Sequence, residues 1–190
     1  MPPTIIIVTG RPAAGKSTLA KWLSQELKLP LVSKDAIREE LFNRLGWKDR
    51  KWAQELGKAS VDMMFYFARA ELEVGHSIIM DNSFYPPVST PRFQALKEQY
   101  KAESIQIVCD SDRETLFQRF KSRADSGKRH SGHGDQDVLA ELPSGDLAAI
   151  MARMYRALAA NPAARHVGGK EIGCEEFLHY LLLRGARCVL

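Results

Sequence analysis

The amino-acid sequence predicts a three-layer α/β fold, in which helices cover both faces of a parallel sheet of about five strands. Short apolar, β-branched runs alternate with stretches of helical hydrophobic spacing along most of the chain. The connections between them are short, which favours right-handed βαβ units. With 190 residues, the chain is long enough to form one such domain over residues 1–190.

The first strand and the first helix are predicted on either side of a glycine-rich loop. Residues 4–9 form an apolar, β-branched run, and Leu19, Trp22 and Leu23 recur at helical spacing after it. Between them, residues 10–17 match the pattern of Gly, four residues, Gly-Lys, then Ser or Thr. Strand, glycine loop and helix is the setting in which this pattern binds phosphate, so the sequence predicts a P-loop NTPase fold.

The loop itself predicts how ATP would be held. Gly10 and Gly15 let the backbone turn sharply, and the freed N–H groups with the helix N-terminus form a nest for phosphate oxygens. Lys16 is expected to reach the β- and γ-phosphates, while the Ser17 hydroxyl is expected to ligate Mg²⁺. The residues predicted to bind the nucleotide here are Gly10, Arg11, Pro12, Ala13, Ala14, Gly15, Lys16, Ser17 and Thr18.

The remaining elements follow in alternation. Further strands are predicted at residues 29–33, 77–81 and 104–109, with a weak fifth at 164–167. Helices are predicted at residues 35–42, 52–73, about 90–102, after Asp112, at 145–160 and at 175–183. One face of the helix at 52–73 is expected to pack in the core, with Val61, Met64, Phe65, Ala68 and Leu72. Ser33 or Asp35 could cap the second helix, Ser89 or Thr90 could cap the helix that follows a loop at residues 84–87, and Asp112 is expected to cap the next helix.

Polar side chains that directly follow the strands are expected to face the nucleotide, since ligands of parallel α/β folds lie beyond the carboxyl ends of the strands. Asp35 is predicted to accept the proton of an incoming hydroxyl, and Arg38, one helical turn later, to hold an anionic group of the acceptor. Asp81 follows the third strand. The structural alternatives are a helix cap for Asp35, an exposed helix residue for Arg38 and a turn residue for Asp81.

A basic lid is predicted over residues 124–137, a polar and glycine-dotted segment. Arg119 and Arg123 lead into it as an i, i+4 pair on one helix face, and Arg129 lies within it. Such a lid supplies cations to the transition state and excludes water, although a solvated charged face is the alternative. For His130 and His133 we favour hydrogen-bonding roles in the lid over a metal site.

Bulk properties are those of a globular protein with an anionic substrate. The net charge of +4 suits a nucleotide without arguing for DNA or RNA. No apolar run approaches the length of a membrane span, and the first strand leaves no room for a signal peptide. The three cysteines are scattered and lack metal-ligand spacing, which favours free thiols in the cytoplasm.

These motifs together resemble a family of small P-loop kinases that includes polynucleotide kinases, chloramphenicol phosphotransferase, zeta-toxin-like kinases and gluconokinase-like proteins. The resemblance covers roughly residues 4–140 and implies an adenylate-kinase-like core. It rests on residues 10–17, 33–38, 78–81 with Arg92 downstream, and 119–123. Residues 129–135 also resemble an Arg-His-x-Gly-His-x-Asp signature of bacterial members.

The resemblance implies a role for each matching residue. Asp35 corresponds to the general base, Arg38 to the arginine that binds the acceptor phosphate, and Asp81 to the acidic residue that helps hold Mg²⁺ through water. Arg119 and Arg123 correspond to lid arginines that touch adenine or the transferred phosphoryl group. The chain departs from the family after about residue 161, where the usual last strand and its adenine loop are not recognisable.

The sequence therefore predicts a cytoplasmic, ATP-dependent kinase that uses Mg²⁺ and phosphorylates a hydroxyl, with a small molecule favoured as acceptor. A polynucleotide 5′-hydroxyl kinase is the alternative, less favoured because no aromatic and basic stacking track is evident. A regulatory ATPase or nucleotide switch, and a non-enzymatic nucleotide-binding partner, are the other classes. The catalytic residues predicted are Lys16, Asp35 and Arg123; the acceptor-binding ones Asp35, Arg38, Asp81, Arg92 and Arg129; and the metal ligands Ser17 and Asp81.

Overall fold

Four parallel strands form the central sheet of the structure, a computed structural model that describes residues 2–127 and 129–136. They are β1 (Thr4–Gly10), β2 (Leu31–Ser33), β3 (Ile78–Asp81) and β4 (Glu103–Cys109), in the spatial order β2-β3-β1-β4. The three-layer α/β class is confirmed, with four strands in the described part of the chain where about five were predicted. The predicted strand at 164–167 and the predicted helices at 145–160 and 175–183 lie outside the described residues.

Five α-helices connect and cover the strands in the described part of the chain. They are α1 (Lys16–Leu27), α2 (Lys34–Leu45), α3 (Arg50–Glu73), α4 (Pro86–Tyr100) and α5 (Arg113–Asp125), followed by a short 3₁₀ turn at Ser131–His133. Among the described residues, no helix combines the length and the apolar character that a membrane span requires.

The sheet separates two apolar clusters because alternate residues of a strand point to opposite faces. On one face, Ile6 and Val8 of β1 pack with Leu23 and Leu27 of α1. The other face is larger, and its buried members are Ile5, Ile7, Met64, Phe65, Ala68, Leu72, Ile78, Met80, Phe84, Phe93, Leu96 and Ala102. The predicted apolar face of α3 is thereby confirmed as core. Each fully buried Ile, Leu, Met or Phe side chain contributes roughly 1.5–3 kcal/mol to the free energy of unfolding.

Three helices begin earlier in the chain than predicted, among them α3, which begins at Arg50 rather than at residue 52. The helix α4 begins at Pro86, with Tyr85 as N-cap, so residues 86–87 belong to the helix and the predicted caps Ser89 and Thr90 lie inside it. Proline suits the first turn, where its missing N–H would have had no helical partner. The helix α2 begins at Lys34 with Ser33 as N-cap, which puts Asp35 in the first turn and excludes its reading as the cap. The predicted cap Asp112 is confirmed, since it accepts a hydrogen bond from the backbone N–H of Thr115 at 2.8 Å.

The parallel register aligns the strand ends that carry polar residues. Ser33 of β2 and Val8 of β1 are both in register with Asp81 of β3, and Gly10 is in register with Cys109. Because β1 and β3 are the central strands, the glycine loop and Asp81 emerge together at the middle of the sheet edge. The candidate site lies there.

Candidate active site

The glycine loop adopts a backbone that its residue types permit. Gly10 has φ +132°, and a Cβ at this position would lie 2.0 Å from the carbonyl oxygen of Cys109 on β4. Gly15, with φ +86°, directly precedes α1. L-residues rarely adopt such angles, so glycine at both positions allows the sharp turn that brings β1 into the N-terminus of α1.

Lys16 is folded back on its own loop. Its Nζ donates a hydrogen bond of 2.7 Å to the carbonyl oxygen of Arg11. Burial lowers the pKa of Lys16 below its ordinary value, although the negative charges of Asp81 and Asp35 act in the opposite direction. The ammonium group is therefore bound to the loop carbonyl and feels the charge of two carboxylates. Because it has three N–H donors, it can contact a phosphate without losing the hydrogen bond to Arg11.

Asp81 is a buried carboxylate with one unpartnered oxygen. Its side chain belongs to a residue only 3% exposed, and Oδ2 accepts a hydrogen bond of 3.1 Å from the hydroxyl of Ser33. Oδ1 is buried without a hydrogen-bond partner within the described ranges. Burial raises the pKa of Asp81, whereas the hydroxyls of Ser17 and Ser33 and the charge of Lys16 lower it. A free carboxylate oxygen beside the Ser17 hydroxyl is a donor set that a hard cation prefers.

Asp35 projects from the first turn of α2 into a group of cations. Its Oδ2 accepts a hydrogen bond from Nη2 of Arg129, and its Oδ1 lies 3.8 Å from Nζ of Lys34 and 4.0 Å from Nδ1 of His133. Burial raises the pKa of Asp35, but the charges of Arg129, Lys34 and His133 outweigh it and the net pKa is lowered. The side chain is therefore an ionised carboxylate that remains 40% exposed to the cavity.

Arg38 lies one turn of α2 after Asp35, with its guanidinium turned toward the helices. Its Nη2 donates to the carbonyl oxygen of Ala53 on α3 at 3.0 Å, and its Cζ lies 5.2 Å from the centroid of the Phe42 ring. Its buried Nε has no hydrogen-bond partner among the described residues. An unsatisfied donor on a residue that lines the cavity suits an anion. The binding of an acceptor anion by Arg38 stays a prediction.

The predicted lid folds against α2 and α5. Its first two residues, 124 and 125, belong to the end of α5. Residues 129–136, called the histidine segment below, lie over α2, with the ring of His130 stacked on Phe42 at a centroid distance of 5.3 Å. A Cβ on Gly132 would meet that ring at 2.5 Å, so the segment approaches α2 very closely. The segment can come this close to α2 because residue 132 is a glycine, which has no Cβ.

The histidine segment also contributes hydrogen bonds. His133 has a side chain only 2% exposed, and its Nε2 lies 2.8 Å from Oε1 of Glu39. Nδ1 of His130 accepts a hydrogen bond from the backbone N–H of Gly132 at 3.0 Å. Burial lowers the pKa of His133. The two histidines therefore have the hydrogen-bonding roles that the sequence favoured.

Arg92 lies away from the other predicted site residues. Its Nη1 pairs with Oδ1 of Asp62 at 2.8 Å, and its Cζ lies 3.9 Å from the centroid of the Phe65 ring. These contacts join α4 to α3, and Arg92 does not line the cavity described below. Its predicted role in acceptor binding therefore finds no support in its position.

One cavity of about 1420 Å³ brings most of the predicted residues together. The predicted residues that line it are Pro12, Ala13, Gly15, Lys16, Ser17, Thr18, Asp35, Arg38, Asp81, Arg119, Arg123 and Arg129. Lys34, Glu39, His133 and Asp135 also line it, although the sequence assigned them no catalytic or binding role. For His133 and Asp135, the only signal in the sequence is the signature at residues 129–135, which has no assigned chemistry.

The chain is similar to known proteins in family and in fold. A family model described as "AAA domain" matches residues 5–156. A solved structure described as a "putative kinase" from Chloroflexus aurantiacus J-10-fl is 36% identical, with a TM-score of 0.71, over 82% of this chain and 80% of that chain. A chain of the Pnkp1/Rnl/Hen1 RNA repair complex is 21% identical, with a TM-score of 0.54, over 82% of this chain and 44% of that chain, and this likeness shows the fold alone. No curated protein sequence matches the chain.

Proposed function

Because the chain belongs to this AAA domain family of P-loop kinases, we propose that it transfers the γ-phosphate of ATP to the hydroxyl of a small-molecule acceptor. One observation carries the proposal. The phosphate loop with Lys16 and the carboxylate of Asp35 face the same cavity from different elements. A hydrolase needs no carboxylate and arginine pair dedicated to a second substrate, whereas a kinase does.

The donor side would bind ATP through backbone and cations. The N–H groups of the glycine loop and the N-terminus of α1 suit the phosphates, and Lys16, which already donates to the Arg11 carbonyl, would donate a further N–H to a phosphate oxygen. Arg119 and Arg123 line the same cavity from α5. Cations that contact the transferring phosphoryl group lower the barrier to transfer, because catalysis of this reaction is mostly positioning and electrostatic stabilisation.

A magnesium ion would be held by the Ser17 hydroxyl and, through water, by the unpartnered Oδ1 of Asp81. When bound, Mg²⁺ neutralises charge on the phosphate oxygens. Ser33 keeps Asp81 in orientation by donating to its other oxygen. The chain's own contribution is thus a buried, oriented carboxylate next to the loop serine.

The acceptor side would activate the incoming hydroxyl. Asp35 accepts the hydroxyl proton as the acceptor oxygen forms its bond to the γ-phosphorus and the bond to ADP breaks. Lys34, Arg38 and Arg129 surround this point with positive charge. We propose that the acceptor carries an anionic group beside its hydroxyl, since that group would meet these cations.

The test is a transfer assay with Mg-ATP labelled at the γ-phosphate and a panel of hydroxyl acceptors, including sugars, nucleosides and 5′-hydroxyl oligonucleotides. Asp35→Asn should lower transfer by roughly 10²–10⁴-fold because a general base is lost, with nucleotide affinity retained. Glu40→Gln, on the exposed surface of the same helix, should leave transfer unchanged.

Lys16→Ala should also abolish transfer, whereas Lys58→Ala, on the surface of α3, should not. Transfer at the normal rate by the Asp35→Asn protein would remove Asp35 as the base. Hydrolysis of ATP without transfer to any hydroxyl would favour the regulatory ATPase instead.

A polynucleotide 5′-hydroxyl kinase is the second candidate, favoured by one observation. The connection between α2 and α3 exposes Trp47, 49% accessible, which lines a second cavity of about 360 Å³ together with Arg123, Arg129 and His130. Lys48 lies next to it, with Nζ 4.3 Å from the ring centroid of Trp52. Aromatic and basic side chains thus meet beside the acceptor side, a grouping that the sequence did not reveal and that suits stacking of a base.

Trp47→Ala separates the two candidates. If a strand stacks on Trp47, affinity for a 5′-hydroxyl oligonucleotide should fall by about 5- to 150-fold, the equivalent of roughly 1–3 kcal/mol per stacked base. Tyr66→Ala, which removes an exposed aromatic ring from α3, is the matched control. Equal oligonucleotide affinity in the wild type and the Trp47→Ala protein would leave the small-molecule acceptor as the better candidate.

A further inference from the structure

Asp135 lies between two arginines that belong to different sides of the cavity. Its Oδ2 pairs with Nε of Arg123 at 2.9 Å, and its Oδ1 and Oδ2 accept from Nη1 of Arg129 at 2.8 Å and 3.0 Å. The other terminal nitrogen of Arg129, Nη2, pairs with Asp35. The contacts form a continuous chain of alternating charge from Arg123 through Asp135 and Arg129 to Asp35.

Burial and contacts with α2 hold this network of ion pairs in place. The side chain of Asp135 is 12% exposed and that of Arg129 21% exposed, so the ion pair between them is shielded from water. His133, buried between Glu39 and Asp35, anchors the same segment to α2. Shielded arginine–carboxylate contacts hold their geometry better than surface pairs do.

The arrangement contains a conflict for the reaction. A carboxylate that is paired with a guanidinium is a poor proton acceptor, because the pairing stabilises its ionised form. Arg123, which is expected on the transferring phosphoryl group, is paired with Asp135. Both catalytic groups are therefore engaged, and the side chains that engage them, Asp135 and Arg129, are bound to each other.

On the premise of the proposed kinase function, we infer that Asp135 and Arg129 are positioning residues that couple nucleotide binding to the release of Asp35. Phosphate groups in the loop attract Arg123 away from Asp135. Among the arginines that the structure describes, Arg129 then remains the partner of Asp135, which holds it more strongly. Arg129 moves from Asp35 toward Asp135, and the Asp35 carboxylate becomes free to accept the hydroxyl proton only when the donor is present.

Such coupling serves a kinase in a specific way. A base that is engaged until the donor arrives does not activate water or the acceptor prematurely, and the acceptor-side cations remain neutralised in the meantime. The charged and titratable groups that act on Asp35 are Lys16, Lys34, Arg38, Asp81, Arg123, Arg129 and His133. Of these, Arg129 makes the direct hydrogen bond, so its movement has the largest effect on the carboxylate.

The test measures the pKa of Asp35 by carbon NMR of protein labelled at the aspartate carboxyl, with the resonance identified through Asp35→Asn. In the wild type, a magnesium complex of a non-hydrolysable ATP analogue should raise the pKa of Asp35 by roughly 1 to 3, the usual effect of losing a guanidinium partner. Arg129→Gln should show the same rise without nucleotide. Arg69→Gln, on the exposed surface of α3, should show none.

Asp135→Asn distinguishes coupling from simple proximity. Without its carboxylate, Arg129 stays on Asp35 whether or not Arg123 moves, so the nucleotide should no longer change the pKa of Asp35. Asp135→Glu should restore part of the response if the carboxylate is what matters. Binding of the analogue to each variant is measured separately by calorimetry.

Two results would overturn the inference. One is a wild-type Asp35 whose pKa is unchanged by bound nucleotide while γ-phosphate transfer to an acceptor occurs, which would leave the kinase intact and remove the coupling. The other is an Asp135→Asn protein that responds to nucleotide as the wild type does. A protein that binds no nucleotide would overturn the kinase proposal together with this one.

Discussion

The proposed donor and acceptor sides of the cavity are assembled in different ways. On the donor side, residues 10–17 are contiguous and act through backbone conformation, with positive φ at Gly10 and Gly15. On the acceptor side, Asp35 pairs with Arg129 and Glu39 with His133, in each case across 94 positions of the sequence. One side depends on what each residue's own backbone can do, and the other on which side chains the fold brings together.

This difference predicts different responses to substitution. A change on the donor side acts through steric collision or loss of a single cation, and its effect is local. A change on the acceptor side redistributes charge among several partners, as the opposing influences on the pKa of Asp35 illustrate. Substitutions that test each side separately can therefore show whether the division holds.

The largest effect is expected for Gly10→Ala on the donor side. The new Cβ would lie 2.0 Å from the carbonyl oxygen of Cys109, an atom of the β4 backbone that cannot move without breaking the sheet. The free energy of unfolding should fall by more than about 4 kcal/mol, as for other severe backbone or packing conflicts. Chemical denaturation measures the change.

Gly75→Ala is the matched control, because Gly75 also has a positive φ of +80° but has nothing within 4 Å of the added Cβ. It should lose only the roughly 1–2 kcal/mol that a left-handed conformation costs an L-residue. If the two variants were equally stable, close approach to β4 would not be the reason for glycine at position 10.

A smaller effect is expected for Gly132→Ala on the acceptor side. The added methyl group would meet the buried ring of Phe42 at 2.5 Å, and either the ring or the histidine segment must move. Overpacking of this kind costs typically 1–3 kcal/mol. Limited proteolysis should cleave within residues 129–136 faster than in the wild type. Nucleotide binding should not weaken, because displacing the segment frees Arg123 from Asp135 for the phosphates.

Gly127→Ala is the control for crowding, since an added Cβ there meets no atom of the described residues within 4 Å. Its φ of +62° adds the roughly 1–2 kcal/mol that a left-handed conformation costs an L-residue, so the two variants are compared by their rates of proteolysis. Loss of nucleotide affinity in the Gly132→Ala protein, with the segment still protected from protease, would contradict the separation of the two sides.

The smallest effect is expected for Asp81→Asn, at the boundary between the sides. Asparagine keeps an acceptor for the Ser33 hydroxyl and removes the buried charge, so without magnesium the variant should be more stable by about 1 kcal/mol near neutral pH. Magnesium-dependent strengthening of nucleotide binding should disappear in it. Thermal denaturation and calorimetry with and without Mg²⁺ measure both effects.

The pH dependence of this comparison has a defined sign. The folded-state pKa of Asp81 is raised above the ordinary 3.8, so the folded protein binds the proton more tightly than the unfolded chain does. The wild type therefore loses stability relative to Asp81→Asn as the pH rises above 3.8 through the folded-state pKa. A stability difference that is the same at every pH would show that Asp81 is not destabilised by burial.

Much of the fold could be predicted from the sequence because its signals are local. The strand, loop and helix around residues 10–17, the cap at Asp112 and the apolar face of α3 each depend on neighbouring residues alone. The start of α4 differs from the prediction because its local signal is ambiguous. Pro86 and Pro87 read as a loop, although proline is equally suited to a first helical turn.

The candidate site was predictable in part. Residues that follow strands could be assigned to the cavity because parallel strands end at one edge, and Asp35, Arg38 and Asp81 do line it. Arg92 could not be assigned in this way, and its pairing with Asp62 follows from the packing of α4 on α3. Asp135 and His133 are visible as a pattern in the sequence, but their partners, Arg123 of α5 and Glu39 of α2, depend on how the histidine segment packs.

By itself, the sequence determined the α/β class, the phosphate loop and the set of polar residues at the strand ends, since backbone angles and alternation of apolar residues are properties of adjacent positions. Only the packed fold shows which charges pair, that one oxygen of Asp81 has no hydrogen-bond partner among the described residues, and that Asp135 links Arg123 to Arg129. Electrostatic partners depend on distances of a few ångströms between residues remote in the chain. Such distances exist only after the core has packed.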